Sequence, residues 1–204
     1  SDNRLPIPEG TRIEYCNENQ NIVFTVSGTA GRGGSCIVYN AFYTDDFGIR
    51  HDCILKQLDP VRTDSESLIK WDNAEISQTE LERFLKAAKI QKNAGQKSEI
   101  INSTSRIRSV FSYKDSVYFQ FAEKNYGNTL DKAHFDTLHE YISVLIQTAK
   151  IISEYHSMGY LHLDIKPQNI FCKNNGNNKY TVSMFDFDSL INFSDVTDSS
   201  IVLS

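Results

Sequence analysis

The stretch Leu161-His162-Leu163-Asp164-Ile165-Lys166-Pro167-Gln168-Asn169-Ile170 sets a lysine two residues and an amide five residues after an acid. Within one loop, an Asp can accept the proton of a hydroxyl, a Lys two positions on can neutralise a phosphate, and an Asn five positions on can hold a metal ion. The spacing points to phosphoryl-transfer chemistry. Asp, Asn and Pro are also common turn residues, and a capping or turn cluster around Pro167 would use the same letters. Companion segments, in the right order and local structure, separate the two.

Such segments are present. Upstream lies Gly31-Arg32-Gly33-Gly34-Ser35-Cys36-Ile37-Val38, then Lys56 in Cys53-Ile54-Leu55-Lys56, and downstream Phe185-Asp186-Phe187-Asp188. Glycine lets backbone approach a phosphate closely and offer N–H donors. Alone, a glycine-rich hairpin is more often only a turn, a strand lysine only a surface charge, and Phe185-Asp186-Phe187 only a strand end. In this order the segments resemble the protein kinase signature set. The Asp-x-Lys-Pro-x-Asn form is more similar to Ser/Thr than to tyrosine kinases, and small-molecule phosphotransferases generally differ at the Lys166 position. The resemblance covers about residues 20–195.

The resemblance implies an ATP site in which Gly31, Gly33 and Gly34 fold over the phosphates, Lys56 binds the α- and β-phosphates, and Val38, Ile54 and Glu123 complete the nucleotide contacts. It implies that Asp164 orients or deprotonates the acceptor hydroxyl, that Lys166 screens the transferring group, and that Asn169 and Asp186 hold Mg²⁺. His162 is expected to be a packed support of the loop. The implied activity is Mg²⁺-dependent transfer of the ATP γ-phosphate to Ser/Thr hydroxyls of a protein substrate. Two alternatives stand beside it: a pseudokinase acting as scaffold or nucleotide-gated switch, and a small-molecule phosphotransferase.

Several positions depart from the family pattern. Cys36 replaces its third glycine, and Ile54 its alanine against the adenine. Ala87 falls where a helix glutamate pairs with the lysine, with Glu80 or Glu82 as possible substitutes. Leu163 replaces an arginine that reads activation-loop phosphate, which implies constitutive or partner-driven regulation. Asp188 replaces a glycine, in a left-handed turn that Asp tolerates better than most residues. The chain stops sixteen residues after Asp188, where the family continues into a substrate platform. The expectation is a piece of a longer protein that does not transfer phosphate by itself. Its truncated lower lobe would expose apolar surface, favouring self-association or a regulatory partner.

Composition narrows the rest. With 204 residues, 40% hydrophobic and 23% charged, the chain can bury a sizeable core as one unit or two packed lobes. A net charge of -5 argues against binding nucleic acid or an anionic membrane. Cys16, Cys36, Cys53 and Cys172 lie too far apart for a zinc site or a disulfide framework. No apolar run reaches membrane-spanning length, and Ser1-Asp2-Asn3-Arg4 has no signal-peptide pattern, so the expected compartment is the cytoplasm.

The expected architecture is α+β and kinase-like. Residues 22–26, 36–43 and 51–58 read as antiparallel strands, with a turn at Asp45-Asp46-Phe47-Gly48 and a polar surface insertion over 59–73. The capping box Ser77-Gln78-Thr79-Glu80 opens a helix over about 77–93, whose apolar face is Leu81, Phe84, Leu85, Ala88 and Ile90. Strands at 106–113 and 116–122 complete a five-stranded sheet. The sequence thus predicts an N-lobe over 1–122, a hinge over 123–127 and a partial, mainly helical C-lobe over 128–204. There a second capping box, Thr137-Leu138-His139-Glu140, opens a helix with Leu138, Tyr141, Ile142, Leu145, Ala149 and Ile152 at helical spacing, ending at Gly159. Short strands at 170–173 and 180–185 flank the Asn174-Asn175-Gly176-Asn177-Asn178 turn.

Overall fold

Inward and outward side chains alternate along residues 12–15, 22–26, 37–41 and 51–57, and these segments fold accordingly as strands. The computed structural model describes residues 2–62, 67–73, 75–94, 96 and 106–195. In chain order the first elements are β1 (Arg4–Leu5), β2 (Arg12–Asn17), β3 (Gln20–Arg32), β4 (Cys36–Thr44), β5 (Arg50–Leu58), β6 (Ile69–Lys70), α1 (Gln78–Ala94), β7 (Ile107–Tyr113) and β8 (Val117–Glu123). Six of the strands form one antiparallel sheet in the order β2-β3-β4-β5-β8-β7. The expected count was five. The extra strand is β2, where only Ile13 and Tyr15 point inward, too short an alternation to stand out beside its charged neighbours.

The sheet curls until its outer strands meet: the hydroxyls of Tyr15 on β2 and Ser109 on β7 lie 2.8 Å apart, and the Tyr15 and Phe111 rings 4.8 Å apart. Phe24, Phe111, Phe119 and Phe121 fill the interior with Ile13, Tyr39 and Leu55. The described parts of segment 59–73 do not all lie on the surface as expected, while residues 63–66 of that expectation lie outside the described residues. Asp59 and Pro60 are buried, β6 pairs in parallel with β1, and the carbonyl of Trp71 accepts from Gln57 Nε2 at 2.8 Å. The paired Arg4 guanidinium and the β1–β6 bridge hold this segment in place, contacts between distant residues that a local pattern does not display.

Helix α1 opens with the expected capping box: Ser77 N–H donates to Glu80 Oε2 at 2.9 Å and Glu80 N–H to Ser77 Oγ at 3.3 Å. Its buried face runs through Phe84, Ala87, Ala88, Ile90 and Gln91, while Leu85 turns outward. Phe84 packs on Cys36 and Leu58.

The described residues group into two compact units, 1–88 with 107–124 and 89–106 with 125–204, the division falling within α1. The second unit holds β9 (Asn128–Thr129), α2 (Leu138–Ser157), β10 (Tyr160–Leu161), β11 (Ile170–Asn174), β12 (Tyr180–Met184) and β13 (Ile191–Asn192). Among its described residues α2 is the single complete long helix, with 20 residues, and it stands beside five short strands. Strands β12-β11-β9 form one small sheet and β10-β13 another. The core gathers Val144, Ile151 and Tyr155 of α2 with Ile170, Cys172, Val182, Met184 and Phe187. The buried face of α2 is thus not the predicted one: Val144 is 0% exposed, whereas Leu138 is 72% and Leu145 41% exposed. Gly159 ends the helix as expected, with φ of 85°. Among the described residues, no helix is long and apolar enough to cross a membrane.

Candidate functional site

Strand register gathers the first unit's candidates. In an antiparallel sheet, residues directly opposite each other share a face. Gly31 lies opposite Val38, Val38 opposite Lys56, Lys56 opposite Gln120, and Gln120 opposite Val110, forming one row across five strands. The adjacent row holds Asn40, Ile54 and Ala122. Val38, Ile54 and Lys56 therefore share a face, all half-buried. Ile54 packs against the cluster of Ala88, Ile107 and Ala122. Glu123 lies opposite Cys53, on the other face from Ile54, and its carboxylate pairs with Arg108, so toward a ligand on the Lys56 face it offers backbone only.

The glycine-rich turn joins β3 and β4, where Gly33 N–H donates to Cys36 C=O at 2.8 Å. A Cβ added at Gly31 or Gly34 would meet nothing within 4 Å, and one at Gly33 only the Cys36 carbonyl at 3.8 Å. The unit's own packing does not require glycine there. Cys36, at the position of the third glycine, is buried against Leu58 and Phe84, which explains a small apolar residue in its place.

Helix α1 does not present the acid that the resemblance implies. Ala87 is buried on it. The Glu80 carboxylate accepts from Ser77 Oγ at 2.7 Å within the cap, and that of Glu82 from Gln78 Nε2 at 2.8 Å. One turn beyond Ala87 stands Gln91, a buried polar side chain that an apolar-face pattern passes over.

In the second unit, the acid, lysine and amide meet. Lys166 Nζ lies 2.7 Å from Asp164 Oδ2, and Asn169 Nδ2 donates to the same oxygen at 3.0 Å and to the Asp164 carbonyl at 2.9 Å. Asp164 Oδ1 accepts no hydrogen bond among the described residues. The Lys166 ammonium, with the Asn169 amide, holds the Asp164 carboxyl below its usual range, and Asp164 in turn raises the Lys166 pKa. A short 3₁₀ turn over Pro167–Asn169 buries Asn169, whose carbonyl accepts from Phe185 N–H at 3.1 Å and so ties the loop to the strand end before Asp186.

His162 supports this loop. It is buried, its Nδ1 accepts from Asp164 N–H at 3.3 Å, and its ring lies 4.8 Å from that of Phe187, which packs in turn on Tyr155 at 4.8 Å. Burial lowers the His162 pKa and so favours the neutral ring. The left-handed backbone expected at Asp188 falls instead on Asp186, with φ of 62°, and on Leu163, with φ of 60°. The strand ends at Met184, and Asp188 lies within a turn closed by Leu190 N–H to Phe187 C=O at 3.1 Å.

Among the described residues, no group of three His, Cys, Asp or Glu is arranged around a metal. Asn169 and Asp186 would instead offer an amide oxygen and a carboxylate. Asn169 Nδ2 is engaged by Asp164, and its Oδ1 accepts no hydrogen bond among the described residues. Hard oxygen donors of this kind fit Mg²⁺, which keeps several waters and bridges to phosphates.

No protein-family model matches the chain, and no curated protein matches it in sequence. Its backbone is similar to a crystal structure described as the kinase domain of PF14_0431, with a TM-score of 0.65 and 16% sequence identity over 96% of this chain. The fold is therefore kinase-like. The chain spans 57% of the length of that kinase domain.

Proposed function

We propose that this chain carries the nucleotide-binding part of a Mg²⁺-dependent protein Ser/Thr kinase, which passes the ATP γ-phosphate to a hydroxyl of a protein substrate. The observation that supports this most is the Asp164 carboxylate, with one oxygen held by Lys166 and Asn169 and the other left to accept a hydroxyl. Asp164 Oδ1 takes the hydrogen bond of the acceptor hydroxyl and aims its lone pair. A carboxylate with a lowered pKa suits orientation better than early proton removal. Lys166 offsets charge on the transferring group, Lys56 binds the phosphates from the first unit, and Asn169 and Asp186 would hold the metal. When bound, Mg²⁺ neutralises phosphate charge and orients the leaving oxygen.

In the intact protein, Asp164→Asn and Asp186→Ala should each lower radiolabelled phosphate transfer to protein by about 10²-fold or more. Unchanged transfer in either variant would remove the assignment.

A second function, a nucleotide-gated scaffold without transfer, is favoured by α1, where Ala87 is buried and the Glu80 and Glu82 carboxylates bond within the helix's own first turns. Mg²⁺-dependent ATP binding with no transfer to any protein or to water is its signature.

A further inference from the structure

Arg4 lies far from the predicted site in sequence, yet its guanidinium is held almost wholly by its neighbour Asp2, the glycine-rich turn and the end of the β5 segment at Asp59. The side chain is 1% exposed. Nη2 donates to the Gly33 carbonyl at 2.8 Å, and Nη1 donates to the Asp59 carbonyl. Nε and Nη2 fork onto the Asp2 carboxylate at 2.9 and 2.7 Å. The turn's next two carbonyls are also taken: Val61 N–H donates to Gly34 C=O at 2.8 Å and Asp59 N–H to Ser35 C=O at 2.9 Å. Strand β1 is itself anchored by pairing with β6 and by Ile69 N–H donating to Asn3 C=O at 3.0 Å.

A trans peptide is planar, with its C=O and N–H pointing in opposite directions. Holding the Gly33 carbonyl therefore aims the Gly34 N–H away from Arg4, and holding the Gly34 carbonyl aims the Ser35 N–H the same way relative to Val61. Neither N–H donates to an acceptor among the described residues, and space lies open above Gly34. Two adjacent outward N–H groups, fixed in advance, are donors for an anionic oxygen.

We propose that the N-terminal segment Asp2 to Leu5 is a clip that sets the glycine-rich turn for phosphate, with Arg4 as its positioning residue and the Gly34 and Ser35 amides as the phosphate donors. This rests on the nucleotide-binding function proposed above. A guanidinium suits the task because its planar fork supplies the four hydrogen bonds made here, one more than the three N–H groups of an ammonium can donate.

The test compares wild type, Arg4→Ala, Arg4→Lys and Asp2→Asn in the full protein by hydrogen exchange, MgATP affinity and thermal midpoint. Arg4→Ala should speed exchange of the Asp59 and Val61 amides by more than about tenfold and weaken MgATP binding about tenfold. Arg4→Lys should fall between the two, and Asp2→Asn, which leaves Arg4 in place, should weaken binding two- to fivefold, these fold-changes being those of about 0.4–1.4 kcal/mol. MgATP should shift the Gly34 and Ser35 amide resonances in wild type. If Arg4→Ala does not fold, Asp2→Asn and Arg4→Lys carry the comparison. Lowered midpoints with unchanged exchange at Asp59 and Val61 and unchanged MgATP affinity overturn the clip. A wild-type protein that binds no MgATP overturns the nucleotide function instead, while the exchange data still decide whether Arg4 holds the turn.

Discussion

Asp59 is buried beside Arg4, and burial pushes its carboxyl pKa up from 3.8 to about 6. The folded state thus holds the proton more tightly than the unfolded chain does. Stability from this group is full below the unfolded pKa of 3.8 and is lost as pH rises through about 6. A shift of this size corresponds to about 1–3 kcal/mol of destabilisation at neutral pH. Asp59→Asn should raise unfolding free energy by that amount at neutral pH and flatten its fall between acid and neutral pH, as followed by urea denaturation across a pH series. An unaltered pH profile would show that Asp59 is not its source. His162 has the opposite sign: burial depresses its pKa, so its contribution is present above pH 6.5 and declines as pH falls. Single residues of both kinds were only half legible. Asp164, Lys166 and Asn169 lie within five positions of one another and announce their cluster through spacing. Arg4, Asp59 and Gly33 announce nothing, because their meeting depends on strands that are remote in sequence.

Helix α2 shows how a true element can present the wrong face. Leu138, Tyr141, Ile142 and Leu145 recur at helical spacing and read as a core stripe. The buried stripe is Glu140, Val144, Thr148, Ile151 and Tyr155. Its two polar members conceal it, and each has a local partner: Glu140 Oε2 accepts from Asp136 and Thr137 N–H at 2.8 and 3.0 Å, and Thr148 Oγ1 donates to the Val144 carbonyl at 2.9 Å. A capping residue and a back-bonded threonine can enter a core where free polar groups cannot. Ile151→Ala should cost about 2–5 kcal/mol in chemical denaturation, as for other large-to-small core changes. Leu145→Ala should stay within about 0.5 kcal/mol, as for surface changes. Equal costs would mean that the exposed stripe is covered in solution. Helix ends were easier, since capping boxes at Ser77 and Thr137 and the glycine at 159 are signals confined to four or five residues.

Ligand linkage carries the test for the whole molecule. A ligand that binds only the folded state stabilises it by about 2.7 kcal/mol at one hundred times its dissociation constant. MgATP should raise the thermal midpoint, and ATP with a chelator should do so less. The absence of any shift overturns nucleotide binding altogether. A kinase-like fold was legible because its marks are short and ordered along the chain, each tied to a local backbone need, and the solved kinase domain shares that fold despite 16% identity. The sequence by itself determined the helix starts, the alternating strands and the acid-lysine-amide loop, since each depends on neighbours a few residues apart. Only the tertiary structure decided the sixth strand, the inward face of α2, the left-handed backbone at Asp186 and the seat of Arg4. Those depend on which distant surfaces exclude water together, and burial of that kind is a property of the packed chain that no local window contains.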